Sequence, residues 1–318
     1  MFRKKSELFR GREATVVEGL GCISLTDTLE CGQAFRYELI CKEENYVEYM
    51  TVAYGKIITV GQRAVGELIF FDRWTEEYER TVSRYFCFDT DFEEIRRDVI
   101  SRTESEWLKQ AAEEAKGIVI LRQDPWETLF SFIVSQNNNI PRIRKIIRNI
   151  CAQYGENLYL AAGLDSCPLP DKECAPGSDE CLSCGICYSF PTAEQVVEYP
   201  EGLLPSHPGF RYKYLMDAAA RVSDGRTDLQ DIAEKASYDY TVEKLKEILG
   251  VGDKVASCVA LFGFSNLEAF PIDVWMKRAI DEYFDGHLDP ESLGPYAGVA
   301  QQYIFHYIRN LQKEEKKD

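Results

Sequence analysis

The sequence predicts an α+β protein: an N-terminal twisted antiparallel sheet packed with a mainly helical region. Three observations predict it. Up to residue 72 the chain is cut into short β-branched or aromatic runs separated by Gly, Asn and charged residues. From Trp74 onward the apolar residues recur at three- and four-residue spacing. Short connections between the early runs favour antiparallel pairing.

Strands are expected at 14–17, 22–25, 34–37, 46–50, 56–60 and 67–71. Helices follow at 75–85, 92–101 and 104–116. Asp124-Pro125 then reads as a helix start, with Asp as N-cap and Pro in the first turn, where its missing N–H costs nothing. The helix 126–136 is apolar on most sides, which implies burial at the centre of a helical domain. Pro141 opens a basic helix, 142–154. Thr192 and Gln195 have capping-box spacing before the helix at 192–198. Further helices are expected at 211–222, 229–235, 242–248, from Asp253, at 274–283 and from Asp289 or Pro290 through Leu311. The division is a sheet lobe with flanking helices (1–120), a helical region (121–311) interrupted by a Cys-rich insertion (160–190), and a charged tail (312–318).

Hydrophobic residues make up 45% of the 318 positions and charged residues 28%, an ordinary globular composition. No apolar run approaches the roughly 20 residues that span a bilayer, so no membrane helix is expected. Charged Glu7, Arg10 and Arg12 fall where a signal peptide would need its apolar core. The expected location is intracellular: cytoplasm or nucleoid in a prokaryote, nucleus in a eukaryote. The net charge of −16 opposes nucleic-acid binding if spread evenly. Attraction to phosphate acts within a Debye length of about 8 Å, however. Arg142, Arg144, Lys145 and Arg148 form a local basic run with no acid among them.

One stretch carries the chemistry. Leu249-Gly250-Val251-Gly252 joins two apolar helices, and Gly250 and Gly252 allow positive φ and close backbone approach to a phosphate. The following helix adds its positive dipole end. Lys254 sits in that helix's first turn, where the dipole and burial favour a neutral, nucleophilic amine. Asp273, after Pro271-Ile272, stands at the N-terminus of the next helix. A carboxylate there can stabilise an oxocarbenium charge at a sugar.

These residues resemble the helix-hairpin-helix DNA glycosylases, and Lys254 makes the chain similar to the bifunctional glycosylase/lyase members. Three further segments resemble the 8-oxoguanine DNA glycosylases: Gly32-Gln33-Ala34-Phe35-Arg36; Gln123-Asp124-Pro125 through Ser135-Gln136-Asn137-Asn138-Asn139-Ile140 with Arg142; and Pro295-Tyr296-Ala297-Gly298 through Ala300-Gln301 with Phe305. The resemblance covers nearly the whole chain except the cysteine insertion. It implies excision of 8-oxoguanine from duplex DNA by base flipping, Schiff-base formation and β-elimination, by a monomer needing no cofactor for catalysis. It implies Lys254 and Asp273 as the catalytic pair and Gly250, Val251 and Gly252 as the phosphate grip. Cys258 and Phe305 would flank the flipped purine, Gln301 would read its pairing edge, and the Gly32 carbonyl would accept from the lesion's N7–H. Phe210 would be the wedge, and Asn137, Arg142 and Arg211 would hold the orphaned cytosine. Trp275 departs from the pattern, standing where the family carries a histidine.

Eleven cysteines without a signal peptide are expected as thiols or metal ligands. Cys181-x2-Cys184-x2-Cys187, preceded by Cys167 and Cys174, could hold zinc or an iron–sulfur cluster, with Cys174, Cys181, Cys184 and Cys187 as ligands. In relatives with a cluster, its cysteines follow the catalytic aspartate, whereas this chain has none after Cys258. Three other readings stay open: a monofunctional alkyl-purine glycosylase using water and Asp273, a non-catalytic DNA-binding module, and a metal-dependent scaffold organised by residues 167–187.

Overall fold

A computed structural model of the chain describes residues 2–161 and 186–315. Strands β1 (Arg3–Phe9) and β2 (Arg12–Glu18) form a hairpin through Arg10-Gly11, both at positive φ (53° and 78°). That tight turn matches the strands' right-handed twist. Strands β3 (Tyr37–Glu43), β4 (Tyr46–Ala53), β5 (Lys56–Gln62) and β6 (Glu67–Phe70) follow as a meander. The sheet order is β1-β2-β6-β5-β4-β3, antiparallel throughout. The chain from β2 to β3 therefore crosses the sheet's width, and it does so through helix α1 (Leu25–Glu30).

Two strand expectations need correction, and one strand is additional. Residues 22–25 are not a strand, because the Ser24 side chain accepts from the Asp27 N–H and starts α1. Residues 34–36 lead into β3 rather than belonging to it, and the Arg36 carbonyl accepts from Thr51 Oγ1 at 2.8 Å. β1 was not expected at all. Its sequence, RKKSELF, is polar and mostly exposed, so it carries no buried face to read; only pairing with β2 defines it.

The remaining helices are α2 (Glu76–Tyr85), α3 (Phe92–Ser101), α4 (Glu106–Glu114), α5 (Pro125–Ser135), α6 (Ile140–Tyr154), α7 (Leu158–Ala161), α8 (Ala193–Glu198), α9 (Tyr212–Ser223), α10 (Leu229–Lys235), α11 (Tyr238–Lys246), α12 (Asp253–Gly263), α13 (Val274–Tyr283) and α14 (Ala297–Glu315). The Thr192/Gln195 capping box is formed. None of the described helices is long and apolar enough to cross a membrane.

One sheet face packs Tyr49, Ile58, Val60, Leu68 and Phe70 against Tyr78, Val82 and Tyr85 of α2. The larger core is helical and centres on α5, buried from Thr128 to Val134 and packed on α6, α9 and α12. Asp124 caps it by accepting from the Glu127 N–H at 2.9 Å. On α5, Phe132 bridges Phe35 (5.5 Å) to Phe262 of α12 (5.5 Å, stacked). Helix α14 returns to pack on α3, α4 and α13, with Trp107 stacked on Tyr283 at 4.3 Å.

The two ends of the cysteine insertion meet. Asn157 bridges Tyr188, the Leu158 N–H donates to the Cys187 carbonyl at 2.7 Å, and buried Arg36 donates to the Tyr188 carbonyl. Cys187 is fully buried in the main core. Cys167, Cys174, Cys181 and Cys184 lie outside the described residues.

Candidate active site

The hairpin forms where the sequence predicts it, with different bounds. Ser237 caps α11, which begins at Tyr238 rather than 242 and ends at Lys246. Gly250 adopts φ +79°, and a Cβ there would stand 2.5 Å from the Tyr214 ring. Backbone conformation and ring together require glycine. Val251 is buried, with its N–H donating to the Ile248 carbonyl at 3.0 Å. Gly252 is exposed with nothing within 4 Å of its would-be Cβ, and it starts α12 without a side-chain cap. Helices α1 to α6, α8, α10, α11 and α13 do receive a side-chain cap. The first amides of α12 are thus unclaimed by a side chain, and the helix dipole points at open space.

Lys254 lies half-buried in the first turn of α12, its Nζ 5.3 Å from the centre of the Phe132 ring. One turn later, on the same face of the helix, Cys258 is buried. Burial raises the Cys258 pKa; the Lys254 charge opposes the shift and the Asp273 charge adds to it. Lys254, Cys258 and Asp273 therefore share one electrostatic neighbourhood. Asp273 caps α13 with a single oxygen: Oδ1 accepts from the N–H groups of Trp275 (3.0 Å) and Met276 (2.9 Å). Among the described residues Oδ2 has no hydrogen-bond partner. Trp275 is half-buried against the main core, while Val274, flanking Asp273, is 75% exposed.

Of the residues named for the base, Gly32 and Phe305 meet. Gly32 adopts φ +94°, and its would-be Cβ stands 3.6 Å from Phe305 Cε1. The loop holding Gly32 is braced by buried Gln33, which donates to the Thr28 and Val119 carbonyls and accepts from the Leu121 N–H, each at 2.9 Å. Gln301 is buried on α14, its Oε1 accepting from Gln302 Nε2 at 2.7 Å.

The three asparagines divide the labour. Asn138 Nδ2 donates to the Val134 carbonyl at 3.2 Å and closes α5, and Asn139 caps α6 through the Arg142 N–H at 3.0 Å. Asn137, the first of the three, sits at φ +47°, exposed, with no hydrogen bond from its side chain to described residues. Arg142 is exposed nearby. Phe210 stands 49% exposed at the tip of the 209–211 turn, edge-on to Tyr214 at 6.0 Å.

Two expectations differ from what the structure holds. Arg211 is turned inward: its guanidinium is buried and donates to the carbonyls of Gln136, Asn137 (3.0 Å) and Pro208 (3.3 Å). Burial, then the charge of Arg142, lower its pKa. In this state Arg211 ties the Asn137 turn to the Phe210 turn. The basic run is also split. Arg144 and Arg148 both pair with Glu38 of β3, and Arg144 stacks on Tyr37 at 4.1 Å, so Arg142 and Lys145 remain exposed. The acid that claims the two arginines is far off in sequence.

Sequence reasoning missed the strut that joins these parts. On α9, Tyr214 packs on Gly250, and Asp217 Oδ2 accepts from the Leu249 N–H at 2.7 Å while pairing with Arg221 at 3.0 Å. One helix thus carries the Phe210 turn at its start and grips the hairpin along its side. An isolated Asp before Ala218-Ala219-Ala220 was the available signal. A cleft of about 290 Å³ between residues 19–23 and 86–93 is lined by none of these residues.

A six-stranded antiparallel sheet on a helical body, with an uncapped Gly hairpin leading into a lysine-bearing helix, defines a helix-hairpin-helix DNA glycosylase. A 3-methyladenine DNA glycosylase from Archaeoglobus fulgidus, 16% identical with TM-score 0.65 over 93% of this chain and 98% of its own, shares the fold. Closer likenesses narrow the class. Residues 17–129 match the family model of the 8-oxoguanine DNA glycosylase N-terminal domain. The chain is 32% identical to MBOgg1, solved in complex with a low-affinity DNA ligand, over 98% of this chain and 99% of that one, with TM-score 0.79. It is 31% identical to the Clostridium acetobutylicum 8-oxoguanine glycosylase/lyase, solved with double-stranded DNA containing cytosine opposite 8-oxoguanine, over 98% of both chains, TM-score 0.79. An N-glycosylase/DNA lyase of Saccharomyces cerevisiae is 29% identical over 80% of this chain and 67% of its own length. The chain belongs to the 8-oxoguanine DNA glycosylase family.

Proposed function

We propose that this protein is a bifunctional DNA glycosylase/AP lyase that excises 8-oxoguanine from duplex DNA. The observation that supports the mechanism is the pair of helix starts: Lys254 in the first turn of the uncapped α12, over the Phe132 ring, and Asp273 capping α13 through Oδ1 alone. The amides from Gly250 to Gly252 and the α12 dipole hold a backbone phosphate without reading sequence. Because a glycosidic bond inside a duplex is unreachable, the nucleotide is extruded at a cost of about a few kcal/mol. Exposed Phe210 fills the gap, and Asn137 and Arg142 offer donors and acceptors to the orphaned cytosine. Arg211 joins them only if it leaves the Gln136 and Asn137 carbonyls; otherwise it sets the turn that presents Asn137.

In the pocket Phe305 and Cys258 flank the purine and Gln301 meets its pairing edge. The Gly32 carbonyl accepts from N7–H of the lesion and faces the N7 lone pair of guanine. An unmatched buried acceptor pair costs about 1–3 kcal/mol, one or two decades of selectivity. Lys254 Nζ attacks C1′ as the C1′–N9 bond breaks, and the base leaves with the bonding pair and is protonated. The Asp273 oxygen left over from capping faces the positive charge at the sugar. The attached nitrogen gives up one proton, the C1′–O4′ bond then opens with the oxygen taking a proton, and the C1′=N bond of a protonated Schiff base forms. Abstraction of a C2′ proton then expels the 3′ phosphate by β-elimination.

No cofactor enters this chemistry. The thiol-rich segment with Cys174, Cys181, Cys184 and Cys187 is a separate candidate site for zinc or an iron–sulfur cluster, supported by residue spacing alone. Metal analysis of the purified protein tests it. The function is tested by single-turnover assays on duplexes carrying 8-oxoguanine, formamidopyrimidine or alkylated purines opposite each base. Release of 8-oxoguanine with strand cleavage supports the reading. Release of alkylated purines without cleavage supports the monofunctional alternative, and binding without release supports a DNA-binding module.

A further inference from the structure

Arg309, one turn beyond Phe305 on α14, has no role in the mechanism above. Its guanidinium carbon lies 5.1 Å from the centre of the Phe305 ring. Its NH1 stands 3.6 Å from the would-be Cβ of Gly32, alongside Phe305 Cε1 at the same distance. The side chain is half-buried, and among the described residues it makes no ion pair or hydrogen bond. A guanidinium has five N–H donors in a fixed fork, and drawing one from water without an acceptor is costly. Most arginines in this chain avoid that cost: Arg36, Arg144 and Arg211, for example, all have carbonyl or carboxylate partners. Arg309 instead has a ring on one side and the backbone of Gly32 on the other.

Gly32 at φ +94° leaves room for this approach, since no side chain separates its backbone from NH1. If the Gly32 carbonyl accepts from N7–H, the atom next to N7 on the lesion is C8, which carries the oxygen that guanine lacks. A donor beside Gly32 is therefore on the side where that oxygen arrives.

We propose that Arg309 is a further specificity-determining residue of the base pocket, donating a hydrogen bond to the C8 oxygen of the flipped 8-oxoguanine. This rests on the reading of Gly32 and Phe305 as the base pocket. The two groups then read adjacent atoms of one edge in opposite senses: Gly32 accepts from the hydrogen that oxidation adds at N7, and Arg309 donates to the oxygen that it adds at C8. Guanine satisfies neither.

The test compares Arg309→Met and Arg309→Lys in the full chain with two readouts: single-turnover release of 8-oxoguanine, and β-elimination at a preformed abasic site in the same duplex. Methionine keeps the stem and a sulfur contact to the Phe305 ring, so a mere prop for the ring survives the change, whereas a donor does not. The expected result is a fall of about 10- to 100-fold in base release for Arg309→Met, the size of a lost charge-assisted hydrogen bond. Arg309→Lys recovers part of it, and β-elimination stays within about twofold in both variants. Release at the wild-type rate in Arg309→Met overturns the proposal. So does a parallel loss of both activities, which would make Arg309 a phosphate contact or a folding residue. Phe305→Ala run alongside separates the two levels. Undiminished release there removes the pocket reading and this proposal with it, while loss in Phe305→Ala with none in Arg309→Met removes Arg309 alone.

Discussion

The two glycines of the hairpin should respond to the same substitution in opposite ways. Gly250 sits at φ +79°, and a methyl group there would meet three atoms of the Tyr214 ring at 2.5–2.6 Å. The left-handed backbone costs an alanine roughly 1–2 kcal/mol. Displacing a packed ring adds about 1–3 kcal/mol. Gly250→Ala is therefore expected to destabilise the fold by about 2–5 kcal/mol in urea unfolding. Because Tyr214 also packs edge-on to Phe210, the same change should disturb the exposed turn and slow base release. Gly252 has φ −100° and open space around it, so Gly252→Ala should cost no more than about 1 kcal/mol, the range for replacing a glycine at an N-cap. Its methyl group would instead stand where a phosphate approaches the α12 amides, weakening duplex affinity with little change in folding. Tyr214→Ala makes room for Gly250→Ala, so the double variant should recover the overpacking share but not the backbone share. The reasoning is refuted if Gly252→Ala destabilises as much as Gly250→Ala, or if the two changes at 250 and 214 add without coupling.

Phe210→Ala should leave stability within about 0.5 kcal/mol, as for an exposed side chain, yet slow single-turnover base release about tenfold or more; equal release rates would remove Phe210 as the wedge. Arg211→Ala leaves the carbonyls of Gln136 and Asn137 without their donor and should destabilise by about 1–3 kcal/mol, with Arg211→Lys failing to restore the forked contact. An unchanged unfolding midpoint for Arg211→Ala would contradict that account. Burial pushes the thiols of Cys31, Cys87 and Cys151 up to about 11, above the 9.0 of a thiol in water. The unfolded chain loses these protons first, so stability is full below pH 9 and falls as pH rises from 9 towards 11. Each thiol contributes a slope of about 1.4 kcal/mol per pH unit in that window. Unfolding at pH 8 and pH 10.5 measures the slope, and Cys151→Ala should reduce it; a flat profile would contradict the burial argument.

What was legible in the sequence was chiefly local. Asp124-Pro125 and Thr192 with Gln195 declare helix starts within four residues, and both form as read. The Gly hairpin and Asp273 are local in the same sense: one depends on backbone freedom, the other on a carboxylate reaching amides two and three residues on. The misses are long-range. Strand β1 has no buried face of its own and exists through β2. The run Arg142–Arg148 looked uniformly free because its acid, Glu38, lies about a hundred positions away on another element. Arg211 gave no sign that its fork would be taken up by carbonyls from the 136–137 turn. Asp217 and Arg309 act over the same long range, since the Leu249 N–H and the Gly32 backbone reach them only in the folded chain.

The central claim is that Lys254 forms a covalent link to the sugar. Borohydride reduction during turnover on an 8-oxoguanine duplex, followed by peptide mapping of the adduct, tests it most directly. The account predicts a stable protein–DNA adduct at Lys254, abolished in Lys254→Ala and reduced in Asp273→Asn. No adduct in the wild-type protein, or an undiminished one in Lys254→Ala, would contradict it.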